Sequence, residues 1–416
     1  MKIIYFSWEF PPKIVGGLGT FAMEITQHLV KIGNEVVVFT LCDDKNTPTV
    51  DNWHGVEVHR PRILDFSQVF SLFADYELRS WGEHIKFFAD VITYNTLSAT
   101  KLVNQLVGKD NRKFDIIDAH DWLGVSGAVG VKKCLNIPLI FHVHSTEKGR
   151  TSGKGSRVIE ELEYLGGEEA DCIITVSHAM EEELRRLGFP RNKIRVCWNG
   201  VDTKKYNPDN ISKKEIQNIR ERYGIAKDEK MLLFVGRLVT VKGVQNLIEA
   251  MPEVLNEFPK TKLVILGKGD LEEDLKNRVK NHGLERNVLF RFEFVPEEER
   301  IAHYAASDIV VLPSLYEPFG IVCTEAMAMK KPVVVGARDT NGMREQVISS
   351  GDKQCGMHIN PFDPHDIAWG IKELLGAKEG LVEIGENGRK VVLENFTWPI
   401  IAKKTYDIYK EFVNGA

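Results

Sequence analysis

The sequence predicts an α/β protein with two domains, each built on a mostly parallel sheet with helices on both faces. The chain has 416 residues, which is long for one hydrophobic core. Short runs rich in Val, Ile and Leu alternate with amphipathic segments, and such continuous runs are typical of strands buried on both faces of a parallel sheet. This alternation restarts after a polar stretch near the middle of the chain, which indicates a second domain.

The apolar runs give the expected strands. They span residues 2–7, 35–41, 56–60, 114–120, 138–144, 172–177 and 193–200 in the first half, and 231–237, 262–269, 287–294, 308–314 and 332–337 in the second. Residues 62–96 are rich in aromatic side chains and are expected to form an inserted helical region whose rings pack in a core. Residues 206–230 are polar and turn-rich, which makes them the candidate linker between domains 1–205 and 206–397.

Composition excludes several classes of function. The apolar and charged fractions, 43% and 27%, are ordinary for a globular protein, and the net charge of −5 gives no basic surplus for nucleic acid or an anionic membrane. No apolar run is long enough for an integral membrane segment, and the N-terminus lacks a signal-peptide pattern. The six cysteines are scattered without a C-x-x-C pair. We therefore expect a cytoplasmic protein with reduced thiols.

The first strand leads into SWEFPPKIVGGLGTF, where Gly16 and Gly17 precede a helix. Backbone N–H groups at such a turn either bind an anion or only shape the turn. The ends of two later strands carry DAHDWLG and HVHSTEKGR, so that His120, Asp121, His142 and His144 are expected at one edge of the first sheet. The alternative is that one or two of these histidines are core residues whose hydrogen bonds are satisfied. The histidine spacing matches no common metal-site motif, and no metal ion is expected.

The first strand of the second half ends in VGRLVTVKG. Arg237 and Lys242 are then cations at a strand end and before a helix, which suits a diphosphate, although a solvated basic pair fits equally well. The chain has no P-loop and no D-x-D sequence. Fixed cations instead of a metal ion would therefore have to neutralise a diphosphate here.

The stretch SLYEPFGIVCTEAMAMKKP contains Glu317 and Glu325, eight positions apart. Glu317 lies in a strand–helix loop that Pro318 keeps out of helical geometry, and Glu325 lies in the following helix. The path between them would be ~12 Å along a helix, longer than the ~5.5 Å that separates the two carboxylates of a retaining glycosidase. A sugar-binding role and a glycosidase pair both remain open from the spacing alone.

These motifs together resemble retaining glycosyltransferases of the GT-B fold, specifically glycosyltransferase family 4, including the glycogen and starch synthases. The resemblance rests on GGLGTF, GRLVTVKG, EPFGIVCTEAMAMKKPVVV and ARDTNGMREQV and covers essentially the whole chain. It implies two Rossmann-like domains that face each other across a deep cleft, with a donor domain at 206–397. It also implies that the C-terminal helix, 398–416, returns to the acceptor domain at 1–205.

The resemblance also implies roles for single residues. Arg237 and Lys242 would hold the donor diphosphate, and Glu317 would bind the transferred sugar beside the backbone of Phe319, Gly320 and Ile321. The remaining assignments are Glu325 to the ribose, Gly16 and Gly17 to the distal phosphate, His144 to the sugar near C6, and Asp121 to the acceptor side. No cofactor and no metal are implied, because the nucleoside diphosphate sugar is a substrate.

Two departures favour the broader family over a strict bacterial glycogen synthase. Those enzymes have lysine two places before the first glycine, where this chain has Ile14, with Lys13 one place earlier. They also have glutamine at the position of Glu325.

The expected function is that of a metal-independent hexosyltransferase that moves an α-glucosyl group from ADP- or UDP-glucose to a glucan. The alternatives are a small sugar, sugar phosphate or lipid acceptor, a hydrolase that uses Glu317 and Glu325, and a non-catalytic nucleotide-sugar sensor.

Overall fold

The computed structural model describes residues 1–42, 44, 46–74, 76–377 and 380–413, so residues 414–416 of the predicted C-terminal segment lie outside them. The chain divides into two compact units. The first unit comprises Met1–Val176, Glu181–Trp198 and Trp398–Ala416, and the second comprises Ser177–Met180 and Asn199–Thr397. Each is an α/β domain with its own sheet, which confirms the predicted fold class.

The first unit contains an eight-stranded sheet. Its strands are β1 Lys2–Phe6, β2 Glu35–Phe39, β3 Val50–Trp53, β4 Val56–His59, β5 Ile116–His120, β6 Leu139–Val143, β7 Cys172–Thr175 and β8 Ile194–Val196. They are ordered β3-β4-β2-β1-β5-β6-β7-β8, and every neighbouring pair is parallel except β3–β4. The carboxyl ends of β5 and β6 therefore lie side by side at one edge of this sheet.

Helices follow most of these strands. They are α1 Gly17–Lys31, α2 Ser67–Phe73, α3 Tyr76–Ser80, α4 Ile85–Thr100, α5 Asp121–Leu135, α6 Glu147–Arg150, α7 Arg157–Glu169 and α8 His178–Arg186, with a π-helical continuation of α4 at Lys101–Lys109. The predicted inserted region is helical, as α2, α3 and the beginning of α4. Phe88 stacks on Trp122 with ring centroids 6.0 Å apart, so aromatic side chains of this region do form a core.

The second unit contains a six-stranded parallel sheet ordered β11-β10-β9-β12-β13-β14. The strands are β9 Lys230–Val235, β10 Thr261–Leu266, β11 Val288–Arg291, β12 Ile309–Leu312, β13 Val333–Gly336 and β14 Gly356–Ile359. The helices are α9 Lys213–Arg222, α10 Val244–Glu257, α11 Glu272–Asn281, α12 Glu297–Ala306, α13 Ile321–Ala328, α14 Pro364–Gly376 and α15 Gly380–Asn395. The central strands β9 and β12 bring their carboxyl ends together.

The last helix, α16 Trp398–Val413, packs against α1 in the core of the first unit. Its apolar face buries Ile401, Ala402 and Tyr409 completely, because the segment is amphipathic at helical spacing. Among the helices of the described ranges, none is both long and apolar enough to span a bilayer.

Candidate active site

In the second unit, the ends of β9 and β12 bring Lys242 and Glu317 into contact. The Lys242 ammonium forms an ion pair with Oε2 of Glu317, whose residue is only 8% exposed. The backbone fixes this contact, because the Leu315 N–H donates to the Val241 carbonyl at 2.8 Å. The backbone of Glu317 also forms a parallel β-bridge with that of Asn341. The two predicted site residues therefore lie together.

Arg237 follows the end of β9 and is exposed. Within the described part of the chain, no ion pair engages its guanidinium, which leaves it available to an anion. Lys242 precedes Gly243, whose φ is +68° and whose position would put a Cβ 1.9 Å from the Pro313 carbonyl oxygen. Only glycine fits there, so the loop that carries Lys242 passes close to the loop that leads to Glu317.

The loop after Glu317 ends at helix α13. Gly320 has φ +89°, and a Cβ there would lie 2.7 Å from the Met343 side chain. Ile321 begins the helix, so its backbone N–H is among those with no acceptor inside the helix. The Phe319 side chain is 2% exposed and packs on Phe396, so only the backbone of Phe319 could contact a ligand.

Glu325 lies inside α13 and is surrounded by hydrogen-bond donors. Its Oε1 accepts from the Tyr206 hydroxyl at 2.8 Å and from Arg300 at 3.3 Å, while Oε2 accepts from the Tyr304 hydroxyl at 2.8 Å. Burial, and then the Glu325 charge, raise the pKa of both tyrosines, so both remain neutral donors. A carboxylate offers about four acceptor positions, and three are used here.

In the first unit, the glycine turn before α1 is closed by a carboxylate. The Glu9 Oε2 accepts the N–H groups of Val15 at 3.0 Å and Gly16 at 3.1 Å. Gly17 begins the helix, and Gly19 leaves room for Glu9, because a Cβ there would lie 2.9 Å from its Oε2. The predicted anion site thus holds an anionic group of the chain itself.

Asp121 and His144 lie together at the ends of β5 and β6. The His144 backbone N–H donates to Asp121 Oδ1 at 2.7 Å. Asp121 has φ +52°, a left-handed conformation that is uncommon for a residue other than glycine and typical of functional turns. Burial raises the pKa of Asp121 to about 6, although Arg150 and the backbone donors oppose this.

A buried carboxyl cluster lies beside Asp121. Arg150 donates to Glu147 at 3.0 Å and to Glu163 at 3.4 Å, and its charge also acts on Asp121. Burial raises the pKa of Glu163 to about 8. One guanidinium therefore serves three carboxyl groups.

Three histidines of the first unit, His120, His142 and His144, form a stack. Ring centroids are 4.6 Å apart for His142 and His144 and 5.0 Å apart for His120 and His142, with interplanar angles of 4° and 17°. Their nearest nitrogens lie within 4.8 Å of one another, so within the described ranges they form the group that could hold a metal ion. Nearly parallel rings do not direct their lone pairs to one point, whereas His120 Nδ1 and His144 Nε2 are 2.9 Å apart, a hydrogen-bond distance.

The structure thus brings Lys242 together with Glu317 in one unit, and Asp121 with His144 in the other. Sequence reasoning missed several groups around the predicted site: Glu9 at the glycine turn, Tyr206, Arg300 and Tyr304 around Glu325, and Asp118 with Tyr409 beside the histidines. Glu9 and Asp118 stand next to recognised motifs, in SWEF and DAHD, and were visible as acidic residues at strand ends. The tyrosines gave no signal, because their partners are far away in the chain.

Family profiles match most of the chain. The profile described as "Glycosyltransferase Family 4" matches residues 15–205, and the profile described as "Glycosyl transferases group 1" matches residues 215–391. An uncharacterised glycosyltransferase of Methanocaldococcus jannaschii is 36% identical over 99% of this chain and 98% of its own. Glycogen synthase of Mycobacterium tuberculosis is 28% identical over 98% and 94%. Alpha-maltose-1-phosphate synthase of Mycolicibacterium smegmatis is 26% identical over 99% of each chain.

Solved structures agree on the fold. Sucrose-phosphate synthase of Thermosynechococcus elongatus matches with a TM-score of 0.80 at 22% identity over 100% of both chains. The catalytic domain of starch synthase IV of Arabidopsis thaliana, bound to ADP and acarbose, matches with a TM-score of 0.75 at 16% identity over 99% of both. The Anabaena protein HepE in complex with UDP-glucose matches with a TM-score of 0.74 at 18% identity, over 99% of this chain and 100% of HepE. The chain is a glycosyltransferase of family 4 with the GT-B fold.

Proposed function

We propose that this glycosyltransferase moves an α-glucosyl group from ADP- or UDP-glucose to a glucan, with retention and without a metal ion. The contact of Lys242 with Glu317, in the same unit as the exposed Arg237 that follows β9, carries the proposal. A leaving diphosphate needs fixed positive charge, and the transferred sugar needs a hydrogen-bond acceptor close to that charge. This pair offers both from neighbouring strand ends.

The donor assignments follow from what each group can do. Arg237 and Lys242 bind the diphosphate, and the backbone of Phe319, Gly320 and Ile321 lies beside the sugar bound by Glu317. The Glu325 carboxylate keeps one acceptor position, on Oε2, for a ribose hydroxyl. Gly16 and Gly17 supply N–H groups for the distal phosphate once Glu9 withdraws. These relations support the donor site, and the comparison proteins bound to UDP-glucose and ADP are consistent with it.

The reaction needs little covalent chemistry from the protein. The bond between C1 of the sugar and the diphosphate oxygen breaks, and the acceptor hydroxyl attacks C1 from the same face. The proton of that hydroxyl passes to the departing phosphate oxygen, and the cations offset the charge that develops on the diphosphate. His144 is neutral, because burial lowers its pKa well below the usual value, so it binds the sugar as a neutral hydrogen-bonding group.

The charge near Asp121 favours a neutral acceptor. Arg150 is already shared among Glu147, Glu163 and Asp121, so a phosphate group brought close to Asp121 would meet three carboxyl groups around a cation that is already engaged. This favours a glucan acceptor over a phosphorylated one. A small neutral sugar or a lipid acceptor remains the alternative.

A hydrolase mechanism fits the site poorly. A glycosidase needs one exposed nucleophilic carboxylate and one acid. Both oxygens of Glu325 already accept hydrogen bonds from tyrosines, and Glu317 is paired with Lys242.

All six cysteines are free, which suits the reducing cytoplasm that we propose for this reaction.

A donor panel tests the proposal. The purified protein is mixed with ADP-, UDP- or GDP-glucose, with and without glycogen, and nucleotide release is measured. We expect release that depends on glycogen with ADP-glucose or UDP-glucose. Equal release without glycogen would indicate hydrolysis, and no release with any donor would favour a non-catalytic sensor.

A further inference from the structure

A buried polar network connects the last helix to the histidine stack. The Tyr409 hydroxyl of α16 donates to Asp118 Oδ2 and lies 2.6 Å from the Tyr5 hydroxyl. Tyr5, Asp118 and Tyr409 have no exposed surface. Burial, and then the Asp118 charge, raise the pKa of both tyrosines, so they remain neutral. Asp118 is thus a carboxylate that a residue from the C-terminal helix holds in place.

Asp118 lies next to two of the three histidines. Its Oδ1 is 3.7 Å from His120 Nε2, and its Oδ2 is 3.5 Å from His142 Nδ1. Among the described residues, neither Asp118 Oδ1 nor His120 Nε2 has a hydrogen-bond partner, and both atoms are buried. A negative oxygen that faces a ring nitrogen favours the tautomer with its proton on that nitrogen.

The tautomer of His120 in turn determines the tautomer of His144. Burial lowers the pKa of His120, so the ring is neutral and carries one N–H. With that proton on Nε2, His120 Nδ1 is an acceptor, and its hydrogen-bond partner among the described residues is His144 Nε2, 2.9 Å away. A neutral His144 that donates from Nε2 keeps its Nδ1 as an acceptor. The edge of the Phe21 ring, with its centroid 4.8 Å from that of His144, limits rotation of the ring.

We propose that Asp118 and Tyr409 are positioning residues that set the tautomer of His144, with the proton on Nε2 and an acceptor at Nδ1. The role of this tautomer rests on the proposed function, in which His144 binds a hydroxyl of the transferred sugar. An Nδ1 acceptor takes a hydrogen bond from such a hydroxyl. The alternative tautomer would present an N–H there, which suits an oxygen lone pair instead.

The direct test is the tautomer itself. Nitrogen-15 labelled histidine, observed by long-range proton–nitrogen NMR at pH 8 without substrate, reports which ring nitrogen is protonated, and a His144→Gln variant identifies the His144 signal. We expect the Nε2–H tautomer in the wild type. In Tyr409→Phe and Asp118→Asn, we expect a shift towards the Nδ1–H tautomer. An Nδ1–H tautomer in the wild type, an unchanged tautomer in both variants, or a stoichiometric metal ion bound to the histidines would overturn the proposal.

Kinetics separate positioning from folding. We expect the variants to lower kcat by about 10- to 100-fold, as loss of a group that orients a functional histidine does, with little change in the donor KM. Tyr406→Phe is the matched control, because it removes a hydroxyl from a partly exposed ring of the same helix. Tyr409→Phe removes one oxygen only, so it keeps the test valid if Asp118→Asn does not fold. The NMR result needs no turnover, so a failure of the proposed glucosyl transfer would leave it interpretable.

Discussion

The ammonium of Lys242 and the carboxylate of Glu317 neutralise each other at the ends of two adjacent strands. Both groups are expected to bind the donor, one at the diphosphate and the other at the sugar. A donor diphosphate would therefore take over part of the charge that Lys242 now shares with Glu317. The pair keeps two partly buried charges compensated until the donor arrives.

Lys242→Ala should lower kcat about 10²- to 10³-fold, the usual cost of removing one group that stabilises developing negative charge. Nucleotide release in the presence of acceptor measures this effect. Lys214→Ala, on the exposed surface of α9, is the control and should retain full activity. A Lys242→Ala protein that folds and turns over normally would show that the diphosphate is bound elsewhere.

Glu9→Gln should tighten donor binding. The charged Glu9 accepts the N–H groups of Val15 and Gly16, and the neutral amide competes less strongly for them. We expect KM for the donor, and Kd for the free nucleoside diphosphate measured by calorimetry, to fall by about tenfold, equivalent to ~1.4 kcal/mol. An unchanged or weaker affinity would mean that no phosphate reaches this turn.

Glu325 should determine recognition of the ribose. The wild type is expected to prefer a ribonucleotide donor over its 2′-deoxy and 3′-deoxy analogues, because a missing hydroxyl leaves the carboxylate short of a donor. Glu325→Gln preserves the shape of the side chain. In this variant, the ratio of kcat/KM for the ribonucleotide donor to kcat/KM for each deoxy analogue should fall to near one. A preference that survives the substitution would assign Glu325 a structural role with Tyr206 and Tyr304 only.

Stability should fall as the pH rises from 4.5 to about 8, because of Glu163. Its folded pKa, about 8, lies above the ordinary value of 4.5, so the folded state binds more protons between these values and the free energy of unfolding decreases with pH there. The free energy of unfolding is measured with urea at pH 5.5, 7 and 8.5. The value for Glu163→Gln minus the value for the wild type should increase at each step. A difference that does not vary with pH would contradict a protonated Glu163.

Metal chelation should leave the reaction unaffected. Arg237 and Lys242 are proposed to supply the positive charge, and the stacked histidines are hydrogen-bonded rather than convergent. Activity is compared before and after dialysis against EDTA, and again after addition of Mg²⁺ or Zn²⁺. Loss on dialysis and recovery with one ion would contradict the metal-independent mechanism.

The strands were predictable because burial on both faces requires apolar residues at successive positions. Each predicted run contains a strand, whereas β3 and β14 were missed. The first has the sequence VDNW at the edge of its sheet, and the second has GMHI, so neither shows a continuous apolar run. The polar stretch 206–230 contains helix α9, whose capping box of Ser212 and Glu215 was not recognised.

The site was predictable only where local motifs carry it. Lys242 and Glu317 follow strands, so each was expected beyond the carboxyl end of its own strand, whereas the ion pair between them was not predicted. The hydrogen bonds of Tyr409 to Asp118 and of Tyr206 to Glu325 join residues 291 and 119 positions apart, and no local pattern predicts such pairs. The closure of the glycine turn by Glu9 was also missed. An anion from a ligand was expected at this turn, and a carboxylate of the chain itself was not.

The most direct test of glucosyl transfer follows the sugar itself. The protein is incubated with ADP- or UDP-glucose carrying radioactive glucose and with unlabelled glycogen, and the polymer is precipitated and digested with an α-specific glucosidase. We predict that the label enters the polymer and that the enzyme releases it as glucose, which demonstrates an α-linkage and retention. Three results would contradict a retaining glucan synthase: label that appears as free glucose before digestion, label that enters only small molecules, or labelled polymer that resists the α-specific glucosidase.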